Sequence, residues 1–272
     1  MTQSDQQATF LMRPSPLIVL SGTPPWADAV KFLLERAGFE TIQYLHPAHL
    51  IDRLVDDYPV LLVVDGDQSD WTAWVNTPKT EQATRRIPIL VIAHHAARQS
   101  EAVNAGADGY LTVAQLTAGL LDEVRRIARL PDSELLDTLD CQCQQELPPL
   151  AQQAVREFNA GAYYVQHDYF EKLWMAEAGP VRDLYRAALQ VGVAYYHITR
   201  GNHAGALRML MRSRQWFALL PDVCQGIDVR RLREDANRVR AAIHALSAAE
   251  NDSIDHSLLQ PIHLVSNSSA ED

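Results

Sequence analysis

No stretch of the sequence reaches the roughly 18 consecutive apolar residues that a membrane-spanning helix requires, so no membrane partner is expected. The first dozen residues are polar, with neither a cationic start nor an apolar signal core. Residues 1–15 are therefore expected to form a disordered leader, and the protein to be cytoplasmic. Positive charge is also short: 24 Lys and Arg stand against 34 Asp and Glu, for a formal net charge of -10. Nucleic-acid affinity rests mainly on clustered Lys and Arg, so no nucleic-acid partner is expected. The one basic run, Arg230, Arg231, Arg233, Arg238 and Arg240, is broken by Glu234 and Asp235 and reads as a solvated helix face, with a small opening for an acidic protein partner. Cysteine is scarce: Cys141, Cys143 and Cys224 give no paired framework. The Cys141-Gln142-Cys143 spacing fits neither a zinc knuckle nor a thioredoxin-type motif, and reduced thiols are expected.

What is present is enough for two modest cores, since 272 residues carry 47% hydrophobic and 21% charged side chains. From Pro16 short apolar runs alternate with amphipathic stretches, the pattern of a parallel sheet wrapped by helices. Strands are expected at 17–20, 40–44, 60–64, 87–92 and 110–111, with helices at 26–37, 49–56 and 115–129. Val30, Leu33, Leu34 and Ala37 set the helical spacing of the first helix, and Gly38 closes it. These units predict a doubly wound α/β domain over 16–130 with a five-stranded parallel sheet. Residues 131–149 are polar and flanked by prolines, with some helical character at Leu135, Leu136 and Leu139, and read as a linker. Over 150–246 apolar residues recur at three and four, which predicts a small all-α domain. Residues 247–272 are Ser-rich, with one apolar island at 261–265 too small to bury itself, and are expected to be a disordered tail.

Ligands in open α/β sheets bind beyond the carboxyl ends of the strands, so the residues that follow each strand form a natural set. The runs Pro59-Val60-Leu61-Leu62-Val63-Val64-Asp65, Ile87-Pro88-Ile89-Leu90-Val91-Ile92 and Ala105-Gly106-Ala107-Asp108-Gly109-Tyr110-Leu111-Thr112 resemble the receiver domains of response regulators in order and spacing. The resemblance implies a flavodoxin-like fold and a setting in bacterial two-component signalling or a phosphorelay. It implies that Asp65 matches the phosphoacceptor and Tyr110 the aromatic switch. The acidic pair that holds magnesium is replaced by Ser21 and Gly22, the hydroxyl by Ala93 and the lysine by Val113. Phosphoryl transfer depends on positioning and on neutralising charge, so a pseudo-receiver without phosphorylation chemistry is expected. Asp67 and Asp70, in the loop after the third strand, read as turn formers, with substitute carboxylates as the alternative. The face around the fourth and fifth units is the usual dimer or partner contact of receivers, so a protein partner or a homodimer is expected.

In the second half, Tyr163, His167, Phe170, Glu171 and Trp174 fall on one helix stripe, and Gln190, Ala194 and His197 on the stripe of the next helix. Gly201 and Asn202 read as a helix end and the cap of the following helix. The segments Phe158-Asn159, His167 to Trp174 (167–174), Tyr196 to Asn202 (196–202) with Gly205-Ala206, and Gly226-Ile227-Asp228-Val229 are similar to the domain-of-unknown-function family 309. That resemblance implies a small helical domain and no particular activity.

The polar cluster His167, Asp168, Glu171, Gln190 and His197 is open to two readings. One is a buried hydrogen-bond network that fixes helix register. The other is a divalent metal site with His167, Glu171 and His197 as ligands, where Glu171 is ligand or catalytic base of a small hydrolase. The preferred function is a regulatory protein in which the receiver-like half docks a partner or dimerises and the helical half adds a second recognition surface. The alternatives are that metal-dependent hydrolase and a phosphorylatable response regulator with the helical half as its output.

Overall fold

In the computed structural model, which describes residues 15–246 and 254–265, the β-branched runs of the first half form five parallel strands. These are β1 (Leu17–Ser21), β2 (Glu40–Tyr44), β3 (Leu61–Asp65), β4 (Ile89–Ala93) and β5 (Gly109–Thr112), in the order β2-β1-β3-β4-β5. This is the doubly wound, flavodoxin-like order, with its switch point between β1 and β3. Strands β3 and β4 are buried along their whole length, as a sheet covered on both faces demands. One face packs Ile18, Leu20, Val63 and Leu90 against helices α1 (Ala27–Arg36) and α5 (Leu116–Ile127). The other packs Val19, Leu62, Val64 and Val91 against α2 (Leu50–Asp57), α3 (Trp71–Thr80) and α4 (Gln99–Ala105). The sequence pattern did not delimit α3 and α4. In α3 the apolar positions Trp71, Trp74, Val75 and Pro78 do keep helical spacing, but Pro78 and three threonines disguise it.

The second half consists of α6 (Ser133–Cys143), α7 (Pro149–Asn159), α8 (Tyr163–Ala176), α9 (Arg182–Thr199), α10 (His203–Phe217) and α11 (Val229–Leu246). Asn202 caps α10 by accepting from the Gly205 amide at 2.9 Å. A two-residue hairpin, β6 (Val223–Cys224) and β7 (Ile227–Asp228), is inserted before α11. Its turn is Gln225-Gly226, with φ of 49° and 75°, the left-handed pair that a tight hairpin requires.

Four expectations are corrected. The segment 131–149 is not a linker: Asp132 caps α6 by accepting from the Glu134 amide at 3.2 Å, and Leu139, Cys143 and Leu147 are buried in the helical core. It reads as polar because a short helix buries a single face. The thiols are not all reduced, because Cys143 at the end of α6 meets Cys224 of the hairpin in a disulfide, leaving Cys141 free and exposed. The apolar island of the tail is also not disordered, because it borrows partners. Asn159 brackets the Ile262 backbone, accepting from its amide at 2.7 Å and donating to its carbonyl at 2.9 Å. Leu264 bridges to Ile227, and Ile254 and Ile262 are buried. The leader to residue 14 and tail residues 247–253 and 266–272 lie outside the described residues.

The fourth correction concerns the basic run on α11, which is only partly a solvated face. Arg240 is 8% exposed and pairs with Asp56 of α2, while Arg233 donates to the Leu220 carbonyl at 3.2 Å. Arg214 of α10 donates to the carbonyls of Val55, at 3.3 Å, and Asp56, at 2.6 Å. A guanidinium on the free carbonyls of a helix C-terminus satisfies orphan acceptors and complements the helix dipole. The halves thus keep separate apolar cores, and polar side chains join them.

Candidate functional site

Ser21, Asp65 and Ala93 end β1, β3 and β4, so the fold brings them together at the carboxyl edge of the sheet. Asp65 is 7% exposed. Its backbone amide donates to Ser21 Oγ at 2.9 Å, which engages the side chain at the end of β1. Its Oδ1 accepts from the Asp67 amide at 3.0 Å, a local turn typical of aspartate. The Gln68 amide also hydrogen-bonds Asp65. Gln68 lies so close over Gly22 that a Cβ there would stand 1.6 Å from its Nε2, and Gly22 itself has φ of 62°. A neutral amide therefore meets the carboxylate, and His94 lies within electrostatic reach of it.

The electrostatics follow from these neighbours. Burial pushes the Asp65 carboxyl up, and the nearby Asp67 charge adds to this. Burial would raise Asp67 too, but hydrogen bonds and charge from His94 outweigh it and hold that carboxyl below its ordinary range. Asp67 Oδ2 accepts from the His94 backbone amide at 2.8 Å and meets His94 Nδ1 at 2.7 Å. Asp67 is thus committed to the loop after β4 and is not a substitute for the missing carboxylates. Asp70 is exposed beside the start of α3. Arg98 donates to the Gly66 carbonyl and lies 5.9 Å from the Trp71 ring, which fixes it beside the site rather than over it.

Val113 packs against the apolar core below the sheet, and Ala93 is fully buried. Lys79 serves the opposite end of β4, where it donates to the Ile87 carbonyl at 3.1 Å and to Asp108 at 2.7 Å. Tyr110 is half-buried, and its hydroxyl donates to the His95 carbonyl at 2.6 Å. Burial raises its pKa, so the hydroxyl stays a donor, and the ring is tied to the loop that follows β4. The sequence reading passed over Gln68 and His94. A glutamine three residues after a turn aspartate and a histidine after a strand carry no motif, and only the strand order makes them neighbours.

In the helical half the polar cluster is dispersed. The core stripe of α8 runs through Tyr163, Gln166, Phe170 and Leu173, one position away from His167 and Glu171. His167 and Glu171 are consequently half-exposed on the flank of α8. His167 Nδ1 meets Asp168 Oδ1 at 3.2 Å, and His197 Nδ1 meets the side chain of Asn202 at 3.1 Å. Neither version of a shared His167, Glu171 and His197 site matches this placement. No group of three or more His, Cys, Asp or Glu side chains able to hold a metal occurs among the described residues.

In α8 the buried polar side chain is instead Gln166, and Gln190 of α9 is half-buried. Gln166 is fully buried and lies where a Cβ on Gly192 would be, so α8 and α9 approach closely at Gly192. Its Nε2 donates to the Tyr163 carbonyl at 2.9 Å, while Oε1 has no partner, and Gln190 Oε1 is likewise unsatisfied. Tyr163, Phe158 and Tyr195 form an aromatic triangle with centroids 5.5 Å apart.

Comparison with known proteins gives results for both halves. Residues 151–209 match the family described as domain of unknown function (DUF309). The α/β half is similar to solved receiver structures. One is the signal receiver domain of a signal transduction histidine kinase from Syntrophus aciditrophicus, at 21% identity over 44% of this chain and 96% of that one, with a TM-score of 0.37. A second is Vibrio cholerae chemotaxis protein CheY4, at 15% identity over 42% of this chain and 98% of that one, with a TM-score of 0.38. A third is a CheY-like response regulator receiver domain protein from Methanospirillum hungatei JF-1, at 17% identity over 41% of this chain and 92% of that one, with a TM-score of 0.36. No curated protein matches the chain.

Proposed function

We propose that this chain is a cytoplasmic regulatory protein that works by protein–protein recognition, with a receiver-like half whose carboxylate pocket does not take a phosphoryl group. The observation that carries this reading is the Gln68 amide seated on Asp65 and over Gly22, with Ser21, Ala93 and Val113 in place of the remaining phosphoryl-transfer groups. An acyl phosphate on Asp65 would add charge to a desolvated site whose neighbour Asp67 is itself negative. The helical half is held onto α2 by Arg214 and Arg240, so any partner of one half meets the other as a fixed neighbour. Two surfaces on one body suit a recognition module more than a catalyst. No helix among the described residues is long and apolar enough to cross a membrane. The hydrolase reading draws no comparable support, because His167 and His197 are engaged separately by Asp168 and Asn202.

Treatment with acetyl phosphate and magnesium, followed by intact-mass spectrometry, tests the proposal. The expected spectrum is unchanged. A stoichiometric, hydroxylamine-labile phosphate that disappears in Asp65→Asn would overturn the reading and restore the phosphorylatable alternative.

A further inference from the structure

The amino edge of the sheet, opposite Asp65, faces the helical half across a cleft of about 350 Å³. The α/β half contributes Tyr58 after α2, Arg86 before β4 and Arg129 after α5, and the helical half contributes Leu135 of α6, Asp183 of α9 and Trp216 of α10. We propose that this cleft is a binding site for a small organic anion, an oxyanion head carried on a planar apolar body.

Charge is the first argument. Asp183 lies within electrostatic reach of Arg86, Arg129, Arg182 and Arg186, so four guanidiniums converge here in a chain whose net charge is -10. None of the four has a carboxylate or hydrogen-bonded side-chain partner among the described residues, apart from one long contact of Arg129 to the Tyr58 hydroxyl at 3.5 Å. Arg86 and Arg129 line the cleft with Asp132 and Asp183, while Arg182 and Arg186 stand beside it within reach of Asp183 and add positive charge at its margin. Crowded like charges oppose folding unless something neutralises them, and an anion does so directly.

Shape and surface supply the second argument. Arg186 lies between two tryptophans, 4.4 Å from the Trp174 ring centroid and 3.6 Å from that of Trp216, and Arg86 lies 5.5 Å from the same Trp216 ring. Stacking holds these planar cations in fixed orientations while leaving N–H donors for an oxyanion. Trp216 is 8% exposed, and its Nε1 has no acceptor. A buried donor left unpaired is costly, so a site that presents one beside unpaired guanidiniums is short of an acceptor. Leu135, Leu219 and the rings of Tyr58 and Trp216 form apolar walls, and the volume falls within the usual range for small-molecule sites at domain boundaries.

Asp183 gives the site a pH dependence. Burial pushes its carboxyl up to about 6, against the lowering effect of Arg186, Arg182, Arg86 and Arg129. Tyr58 also faces it, and remains neutral in this range because burial raises its pKa. As pH falls through 6 the carboxylate is neutralised and ceases to repel an anion, so affinity rises.

Isothermal titration with 2-naphthoate against 2-naphthylmethanol, and with adenosine monophosphate against adenosine and inorganic phosphate, tests the proposal on the full chain. At least one organic anion should bind with unit stoichiometry and at least about tenfold more tightly than its neutral counterpart, which corresponds to about 1.4 kcal/mol. The naphthoate and phosphate arms distinguish a carboxylate head from a phosphate head. Arg86→Gln with Arg129→Gln should weaken binding at least about tenfold while the circular dichroism spectrum is unchanged. Naphthoate does not titrate between pH 5 and 8, so its affinity should rise toward pH 5 in the parent and stay flat in Asp183→Asn. Equal binding of neutral and anionic probes, full affinity in the double variant, or no binding by any organic anion at about millimolar concentration would overturn the assignment.

Discussion

Two aspartates, one in each half, are both pushed toward protonation by burial, yet their surroundings are opposite. Asp65, at the carboxyl edge of the sheet, is met by a serine hydroxyl, a glutamine amide and a second carboxylate. Asp183, in the first turn of α9, faces four guanidiniums at the amino edge. An anion needs fixed positive charge or directed donors, and the first site offers neither in surplus while the second offers both. Asp65 lies at one end of the sheet, and the guanidiniums around Asp183 lie at the other. The halves also differ in how they are secured, since the helical half carries the disulfide and the α/β half carries none.

The largest test of that contrast is removal of the staple. Cys143 and Cys224 close a loop with a sequence separation of 81, for which chain-entropy arguments give about 4 kcal/mol. The double variant Cys143→Ser with Cys224→Ser should lose about 2–4 kcal/mol, confined to the helical half. Hydrogen exchange would show α6, the hairpin and α11 opening first while β3 and β4 stay protected. Equal loss of protection in the sheet would mean that the halves unfold as one unit, with Arg214 and Arg240 coupling them more strongly than separate cores suggest.

Much of this was legible in the sequence wherever a pattern repeats over several residues. The strands themselves could be anticipated because runs such as Val60 to Val64 (60–64) and Ile87 to Ile92 (87–92) are apolar and bounded by proline and polar residues, whereas their order was implied only by the resemblance. The candidate site at Asp65 was legible only as a set of substitutions. What covers the carboxylate depends on Gln68, and that contact arises from the positive φ of Gly22 and the neighbouring ends of β1 and β3. The helical cluster was misplaced by one position: a stripe through 163, 167, 170 and 174 and a stripe through 163, 166, 170 and 173 share Tyr163 and Phe170, and Gln166 looked less like a core residue than its aromatic neighbours. The cleft was invisible, since Arg86, Arg129, Asp183 and Trp216 lie on four separate segments with no common motif.

A test of intermediate size sets the two aspartates against each other. With a folded pKa of about 6 and an ordinary value near 3.8, Asp183 binds its proton more tightly in the native state. Stability therefore falls as pH rises from about 4 to about 6, and the penalty, about 3 kcal/mol at most, is fully present at pH 7.5. Asp183→Asn should remove it, since the carboxylate has no hydrogen-bonded partner to lose. Urea titrations at pH 4.5 and 7.5 should show the variant gaining about 1 kcal/mol at the lower pH and about 3 kcal/mol at the higher. Asp65→Asn should gain less, because the Asp67 amide, Gln68 and Ser21 already hold that side chain and backbone in place. A larger gain at Asp65 than at Asp183 would reverse the comparison.

The smallest expected effect is the most specific to the receiver-like pocket. Gly22 has φ of 62°, where any Cβ costs about 1 kcal/mol, and here the Cβ also meets Gln68 Nε2. Gly22→Ala should therefore drive the half-exposed Gln68 side chain away and break its hydrogen bond to Asp65, for a total of about 2 kcal/mol. In a Gln68→Ala background the clash is gone and only the backbone strain remains. The coupling in the double-mutant cycle should be about 1 kcal/mol, with the second substitution milder than the first alone. Additive losses would mean that Gln68 does not sit over Gly22 in solution, and that Asp65 is open to the charged ligands from which this arrangement separates it.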